Sequence, residues 1–184
     1  MKRTLALRVL REMEGKGRYI FTRQHLARFF YDDEPRAFTE SLGRLVRDGF
    51  LLRVGRGLFV NPHARIDYAL LLEQVATFMR RGCFNYVSLE SALSGYGVIS
   101  QVPVDRLTVM TTGRRGTYRT PYGVIEFTHT QRDWDDILRS TRRVEGRPLR
   151  VATPAAAWRD LKRVGRNTAM VNRAMLKEIE HGEF

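Results

Sequence analysis

Apolar residues recur three and four positions apart in the first third of the chain, which is helix spacing. Leu5, Val9, Leu10 and Met13 share one face of a first helix, which Gly15 and Gly17 end. Tyr19-Ile20-Phe21 is a short β-prone run. Thr22 is then the natural N-cap of a second helix over 23–31, with Leu26, Phe29 and Phe30 turned inward. Asp32-Asp33-Glu34-Pro35 suits the opening of a third helix, where negative charge meets the positive end of the dipole and the missing proline N–H costs nothing. That helix runs to Arg47, and Gly49 is placed to end it in the left-handed conformation. Two strands, 50–54 and 58–60, follow across a tight Gly55-Arg56-Gly57 turn.

Helix, strand, helix, turn, helix and β-hairpin is the order of a winged helix-turn-helix. On a helical wheel Phe38, Leu42, Leu45 and Val46 cluster on one side of the third helix. Arg36, Glu40, Gly43 and Arg47 fall opposite, with Thr39 and Arg44 on the flanks. A helix that reads a major groove must expose such a face.

After Asn61-Pro62 the pattern changes. A fourth helix spans about 66–81 with Leu70, Leu71, Val75 and Phe78 apolar, and Gly82 stops it. Ser88 reads as the N-cap of a short helix ending at a left-handed Gly95. Alternating β-branched residues make 106–112 a strand, and Val124-Ile125-Glu126-Phe127-Thr128-His129-Thr130 a second. The segments 113–119 and 120–123 between them read as turns. Pro148 to Ala152 is a shorter third strand. Thr153-Pro154 opens a helix carrying Ala157, Trp158, Leu161 and Val164, closed by Gly165, and a last helix spans about 168–180. The expected architecture is α+β: a winged helix over 1–62, then a domain over 63–184 with a small antiparallel sheet packed by helices.

Charge sharpens this picture. The 184 residues carry a net charge of +12, and 28 of the 32 basic residues are arginine. Residues 1–62 hold 13 basic and 7 acidic residues, and 63–184 hold 19 and 13, so each part is net +6 and the first is about twice as dense. A chain this basic suits a polyanionic partner. Cys83 is the sole cysteine, too few for a disulfide or a zinc cluster, and reads as a small core residue. No apolar run has the length of a signal peptide or a membrane span, so a cytoplasmic location without membrane contact is expected.

Catalytic patterns are absent. The histidines at 25, 63, 129 and 181 are scattered, and no metal-ligand spacing, phosphate-binding loop or nucleophile elbow occurs, so no metal, cofactor or catalytic residue is expected. Asp105 followed by Glu126 suggests a nuclease core, but Thr128 stands where such a core needs a lysine. Gly113-Arg114-Arg115-Gly116-Thr117-Tyr118-Arg119 has three arginines and a tyrosine in seven residues. It could touch phosphates, stack on a base, meet a partner or be a solvated turn.

The most specific stretch runs from Tyr86 to Thr130. Tyr86, Ser88, Ser91-Ala92-Leu93, Gly97-Val98-Ile99, Thr111, Gly113-Arg114 and Ile125-Glu126-Phe127 occur in order and spacing. With 41–62 upstream and 151–161 downstream, they make the chain resemble the AbiEi antitoxins of type IV toxin–antitoxin systems over nearly its whole length. One departure is the segment 153–160, where the family more often has an acid after the proline, here Ala155, and a leucine before the aspartate; Trp158 takes an apolar slot there. The resemblance implies a bifunctional, non-enzymatic protein. Its winged helix would bind inverted repeats in its own promoter and repress the operon, and its second domain would neutralise a nucleotidyltransferase-like toxin without requiring a stable complex. The alternative is a stand-alone winged-helix regulator whose second domain binds a ligand or dimerises.

Within the expected DNA-binding domain, Arg36, Thr39, Glu40, Gly43, Arg44 and Arg47 would face the major groove of double-stranded DNA. Arg53 and Arg56 would set the wing on phosphate or in a minor groove. Thr22, Arg23 and Gln24 would clamp the backbone at the start of the second helix. Arg114, Arg115, Tyr118 and Arg119 would form a second basic surface, for antitoxicity or another contact.

Overall fold

A computed structural model describes residues 3–100 and 105–181. The protein mixes α and β structure in two compact units, Met1–Leu71 and Leu72–Phe184. The division falls inside a helix, beyond Pro62.

The first unit holds α1 (Arg3–Gly15), β1 (Ile20–Thr22), α2 (Arg23–Phe29), α3 (Pro35–Arg47), β2 (Leu52–Gly55) and β3 (Leu58–Val60). The three strands form one antiparallel sheet in the order β1-β3-β2. Ala6, Leu10 and Met13 of α1 meet Phe38, Leu42 and Leu45 of α3, with Phe21, Leu26, Leu51 and Phe59, in one buried core. Each large apolar side chain buried there contributes roughly 1.5–3 kcal/mol. Thr22 caps α2, its Oγ1 accepting from the His25 N–H at 3.1 Å. At the end of α3 the Gly49 N–H donates to Val46 and the Phe50 N–H to Leu45, with Gly49 at φ +76°. This double closure satisfies carbonyls that would otherwise lack partners. One expectation fails in this unit: Phe29 is more than a third exposed, because α2 ends at Phe29 and Phe30 alone turns into the core.

The second unit holds a six-stranded sheet and five helices among the described residues. α4 (Tyr68–Met79) crosses into it from the first unit. Then come β4 (Asn85–Val87), α5 (Leu89–Gly95), β5 (Arg106–Thr111), β6 (Gly116–Thr120) and β7 (Gly123–His129). Next are α6 (Trp134–Ser140), β8 (Thr141–Arg142), β9 (Arg150–Ala152), α7 (Pro154–Val164), a 3₁₀ turn (Thr168–Met170) and α8 (Arg173–His181).

The strand order is β6-β7-β5-β4-β9-β8, and the sheet is mixed rather than antiparallel. β5 runs parallel to β7, and β4 parallel to β9. The reason is that the chain leaves β5, passes one strand position to reach the edge as β6, and returns between them as β7. From Leu107 on, β5 is buried at every position, so both its faces are covered.

Three further expectations are corrected. Residues 116–120 are the edge strand β6, not a turn. Gly97, at φ +74°, is the left-handed residue after α5; Gly95 lies inside the helix, capped by Tyr96. Cys83 is half-buried rather than in the core. Among the described residues no helix is long and apolar enough to cross a membrane, and the side chain of His181 lies outside them.

Candidate nucleic-acid interface

Proline at the first position starts α3, and its apolar stripe fixes its rotation: Phe38, Leu42 and Leu45 point into the core. Arg36, Thr39, Glu40, Gly43, Arg44 and Arg47 are consequently exposed. The β2–β3 hairpin carries Arg53 and Arg56, both exposed, beside that face.

An open groove of about 800 Å³ lies between α3, the start of α2 and the hairpin. Thr22, Arg23, Gln24, Thr39, Gly43, Arg53 and Arg56 line it. Arg36 and Glu40 border an adjoining hollow with Arg23, Pro35 and Thr39. Arg44 and Arg47 line neither. Arg44 turns along the helix to donate to Ser41 Oγ at 2.8 Å. The groove also has an apolar floor, Leu42, Val46 and Phe59, with Gly57 at its edge. The sequence pattern assigned the apolar residues to the core alone. Leu42 and Phe59 are buried and Val46 half-buried, so each reaches the groove with only part of its surface.

Several groove residues are already held in place. An Arg23 Nη donates to Thr39 Oγ1 at 2.7 Å, and the same hydroxyl donates to the Pro35 carbonyl at 2.7 Å. The Arg23 guanidinium lies 5.4 Å from the Phe38 ring centroid. Arg53 Nε donates to the Gly55 carbonyl at 3.3 Å. Two backbone N–H groups at the start of α2 are occupied: Arg23 donates to the Gly57 carbonyl at 2.8 Å and His25 to Thr22. These bonds tie the start of α2 to the hairpin and to its own cap. Gly43 has no heavy atom within 4 Å of where a Cβ would sit, so α3 has room at its centre for a close approach. No acidic side chain among the described residues pairs with Arg36, Arg47 or Arg56.

In the second unit Arg114, Arg115 and Arg119 are exposed, but Tyr118 is not available as a surface ring. Its hydroxyl accepts from Arg80 at 2.6 Å, and its ring meets Phe127 edge-on at 5.8 Å. Arg80 lies over both rings. Tyr118 alternates with Arg119 along β6, so the strand sends the arginine outward and the tyrosine onto the sheet.

Most of the motif residues lie inside. Ser88 sits at the N-cap of α5 but makes no capping bond; its hydroxyl donates to Asp160 of α7 at 2.8 Å. Leu89, the next residue, is wholly buried at φ +58°, a conformation costly for a leucine. This tight strand-to-helix turn turns Ser88 inward. Asp160 has no exposed surface and also accepts from an Arg132 Nη at 2.6 Å. The Tyr86 hydroxyl lies 3.4 Å from the same carboxylate, and burial, followed by the Asp160 charge, pushes its pKa up to about 12.

Glu126 has one carboxylate oxygen on Arg106 at 2.9 Å and the other on Arg166. Arg166 also reaches buried Glu90, at 2.9 Å. Burial alone would lower the pKa of Arg166; its bonds to Glu126 and Glu90 outweigh that and raise it. Both oxygens of Glu126 are thus engaged by arginines, which leaves it poorly placed for the nuclease reading. Among the described residues no three His, Cys, Asp or Glu side chains gather to hold a metal ion.

No protein-family model matches the chain, and no curated protein matches it. Among solved structures, it is similar to the crystal structure of the RV2827C protein from Mycobacterium tuberculosis. The TM-score is 0.61 at 16% identity, over 100% of this chain and 73% of that one. At this identity the likeness shows the fold alone.

Proposed function

We propose that the first unit is a winged helix-turn-helix that binds double-stranded DNA, and that the protein is an antitoxin and autorepressor of the AbiEi kind. The observation that carries the DNA-binding half is the groove in which the exposed face of α3 and the hairpin tip converge, with Arg23, Arg53 and Arg56 on its walls. In this reading α3 enters the major groove. The β2–β3 hairpin is the wing, and Arg56 at its tip reaches phosphate or the minor groove. A sugar–phosphate strand passes between them over Gly43. The net charge of +6 on residues 1–62 supports the same partner.

The antitoxin half rests on the resemblance of the Tyr86–Thr130 segment. In this reading the operator is an inverted repeat in the protein's own promoter, and the second unit neutralises a nucleotidyltransferase-like toxin from the adjacent gene. Arg114, Arg115 and Arg119 supply its exposed basic surface.

The two halves are tested separately. Footprinting on the upstream promoter should protect an inverted repeat, and Arg36→Ala with Arg47→Ala should abolish the footprint. Co-expression with the adjacent gene product should restore growth. Protection without rescue would leave a stand-alone regulator.

A further inference from the structure

Phe84 and Trp134 are 43% and 46% exposed, yet they touch each other, with ring centroids 4.0 Å apart and planes tilted by 40°. Phe84 immediately precedes β4, and Trp134 is the first residue of α6. Two large rings left in contact at the surface mark a place where something else can pack.

The segment carrying the arginine pair is fastened to this place. The Thr112 N–H donates to the Phe84 carbonyl at 3.0 Å, and the Phe84 N–H donates to Thr112 Oγ1 at 3.0 Å. Gly113 follows, packed so closely that a Cβ there would lie 2.7 Å from the Cys83 sulfur. The Arg114 carbonyl accepts from Arg80 Nε at 3.0 Å. The backbone of this loop is pinned beside the rings, while the Arg114 and Arg115 side chains stay exposed. Neither has an acidic partner among the described residues. Of the acids at the start of α6, Asp133 caps the helix through the Asp136 N–H and Asp136 pairs with Arg132; among the described residues neither Asp133 nor Asp135 has a cation partner.

Half-exposed rings with an arginine-bearing loop tied to one of them offer stacking for bases and charge for phosphates. A duplex hides its base faces within its own stack, so these rings suit unpaired bases. We propose that the second unit binds single-stranded nucleic acid, with an unpaired base stacked on the Phe84–Trp134 pair and flanking phosphates held by Arg114 and Arg115. This site belongs to the second unit and does not depend on the duplex assignment of the first. It also gives the basic loop an aromatic partner in place of Tyr118.

The chain has two tryptophans, 134 and 158, so Trp158→Phe leaves Trp134 as the sole indole reporter. The full chain should carry this change together with Arg36→Ala, Arg47→Ala and Arg56→Ala, which remove the duplex contacts proposed for the first unit. It is then titrated with a short mixed-sequence RNA strand, the matching DNA strand and the DNA duplex. Saturable quenching of Trp134 by a single strand, with none by the duplex, is the expected result. Quenching by RNA only, DNA only or both identifies the strand.

In the same background read by anisotropy of a labelled strand, Trp134→Leu or Phe84→Leu should weaken single-strand binding at least fivefold, the low end for one stacked base. Arg114→Ala with Arg115→Ala should make the salt dependence shallower by about 1.4 in log–log slope. Thermal melts show which variants remain folded. Absence of saturable quenching by either strand overturns the proposal, as does equal quenching by the duplex. Unchanged affinity in folded Trp134→Leu and Arg114→Ala/Arg115→Ala chains also overturns it. Self-association that depends on Trp134, without strand binding, would assign the patch to a protein contact instead.

Discussion

The backbone N–H of Arg23 donates to the carbonyl oxygen of Gly57 at 2.8 Å, tying the first residue of α2 to the tip of the β2–β3 hairpin. One end of the candidate groove is thereby closed by a hydrogen bond between its own walls. The hairpin can make that bond because Gly57 sits at φ +67°.

Gly57 is therefore constrained by its backbone and not by space, since a Cβ there would meet only the Arg23 Cβ at an ordinary 3.7 Å. Gly57→Val should cost about 1–2 kcal/mol, because a β-branched residue is poorly tolerated at positive φ. Gly57→Asn should cost less, since asparagine visits that region more readily. Equilibrium urea denaturation of the two variants checks this. Equal losses would mean that the backbone angle is not what the position requires.

Arg56 and the arginines of α3 should separate in their effects on DNA binding. Arg56→Ala should weaken binding to operator and random duplex alike and make the salt slope shallower by about 1, as loss of one phosphate contact does. Arg36→Ala or Arg47→Ala should cut discrimination between the two DNAs by about 1–3 kcal/mol where the arginine contacts a guanine edge. Fluorescence anisotropy over a salt series on both DNAs distinguishes these outcomes. Equal weakening on both DNAs would place the α3 arginine on the backbone.

The first unit was largely legible in the sequence, because its elements carry local signals. The proline start and apolar stripe of α3, Gly49 after it and Thr22 before α2 each specify their own neighbourhood. The second unit was read less well for the converse reason. β6 alternates half-buried and exposed residues with no strongly apolar position, as an edge strand can, and resembles a polar turn. β4 has three residues and β8 two, too few for a period to show. Ser88 was legible as an N-cap by position, but its partner Asp160 lies 72 residues away. No local pattern announces such a pairing, nor that Phe84 and Trp134, fifty residues apart, meet at the surface.

The pairing of Asp160 with Arg132 should dominate the stability of the second unit. Asp160→Ala removes one of the two carboxylates on the mostly buried Arg132 and leaves Asp136 at 3.2 Å, so a loss of about 3 kcal/mol, the low end for a broken buried pair, is expected. Asp160→Asn keeps an acceptor for Arg132 and for Ser88, and should lose less. Ser88→Ala removes one hydrogen bond to a charged group, about 1.5–3 kcal/mol. Chemical denaturation of the three variants should rank them in that order, Asp160→Ala worst. A Ser88→Ala loss equal to that of Asp160→Ala would move the critical contact from the ion pair to the hydroxyl.

Tyr86 makes stability depend on alkaline pH. Its hydroxyl is held neutral in the folded chain, with a pKa pushed up to about 12 by burial and by the Asp160 carboxylate. In the unfolded chain it titrates near 10. Between these values the unfolded state has lost the proton while the folded state keeps it, so stability falls as pH rises. The contribution is fully present below about pH 10 and is lost by about pH 12. A shift of this size corresponds to about 2–3 kcal/mol across that window. Tyr86→Phe has no proton to lose and should flatten the decline, measured as unfolding free energy by urea at a series of pH values from 9 to 12. The other tyrosines are common to both chains, so the difference between the two curves isolates Tyr86. Parallel curves would mean that its hydroxyl titrates as freely in the folded protein as in the unfolded one.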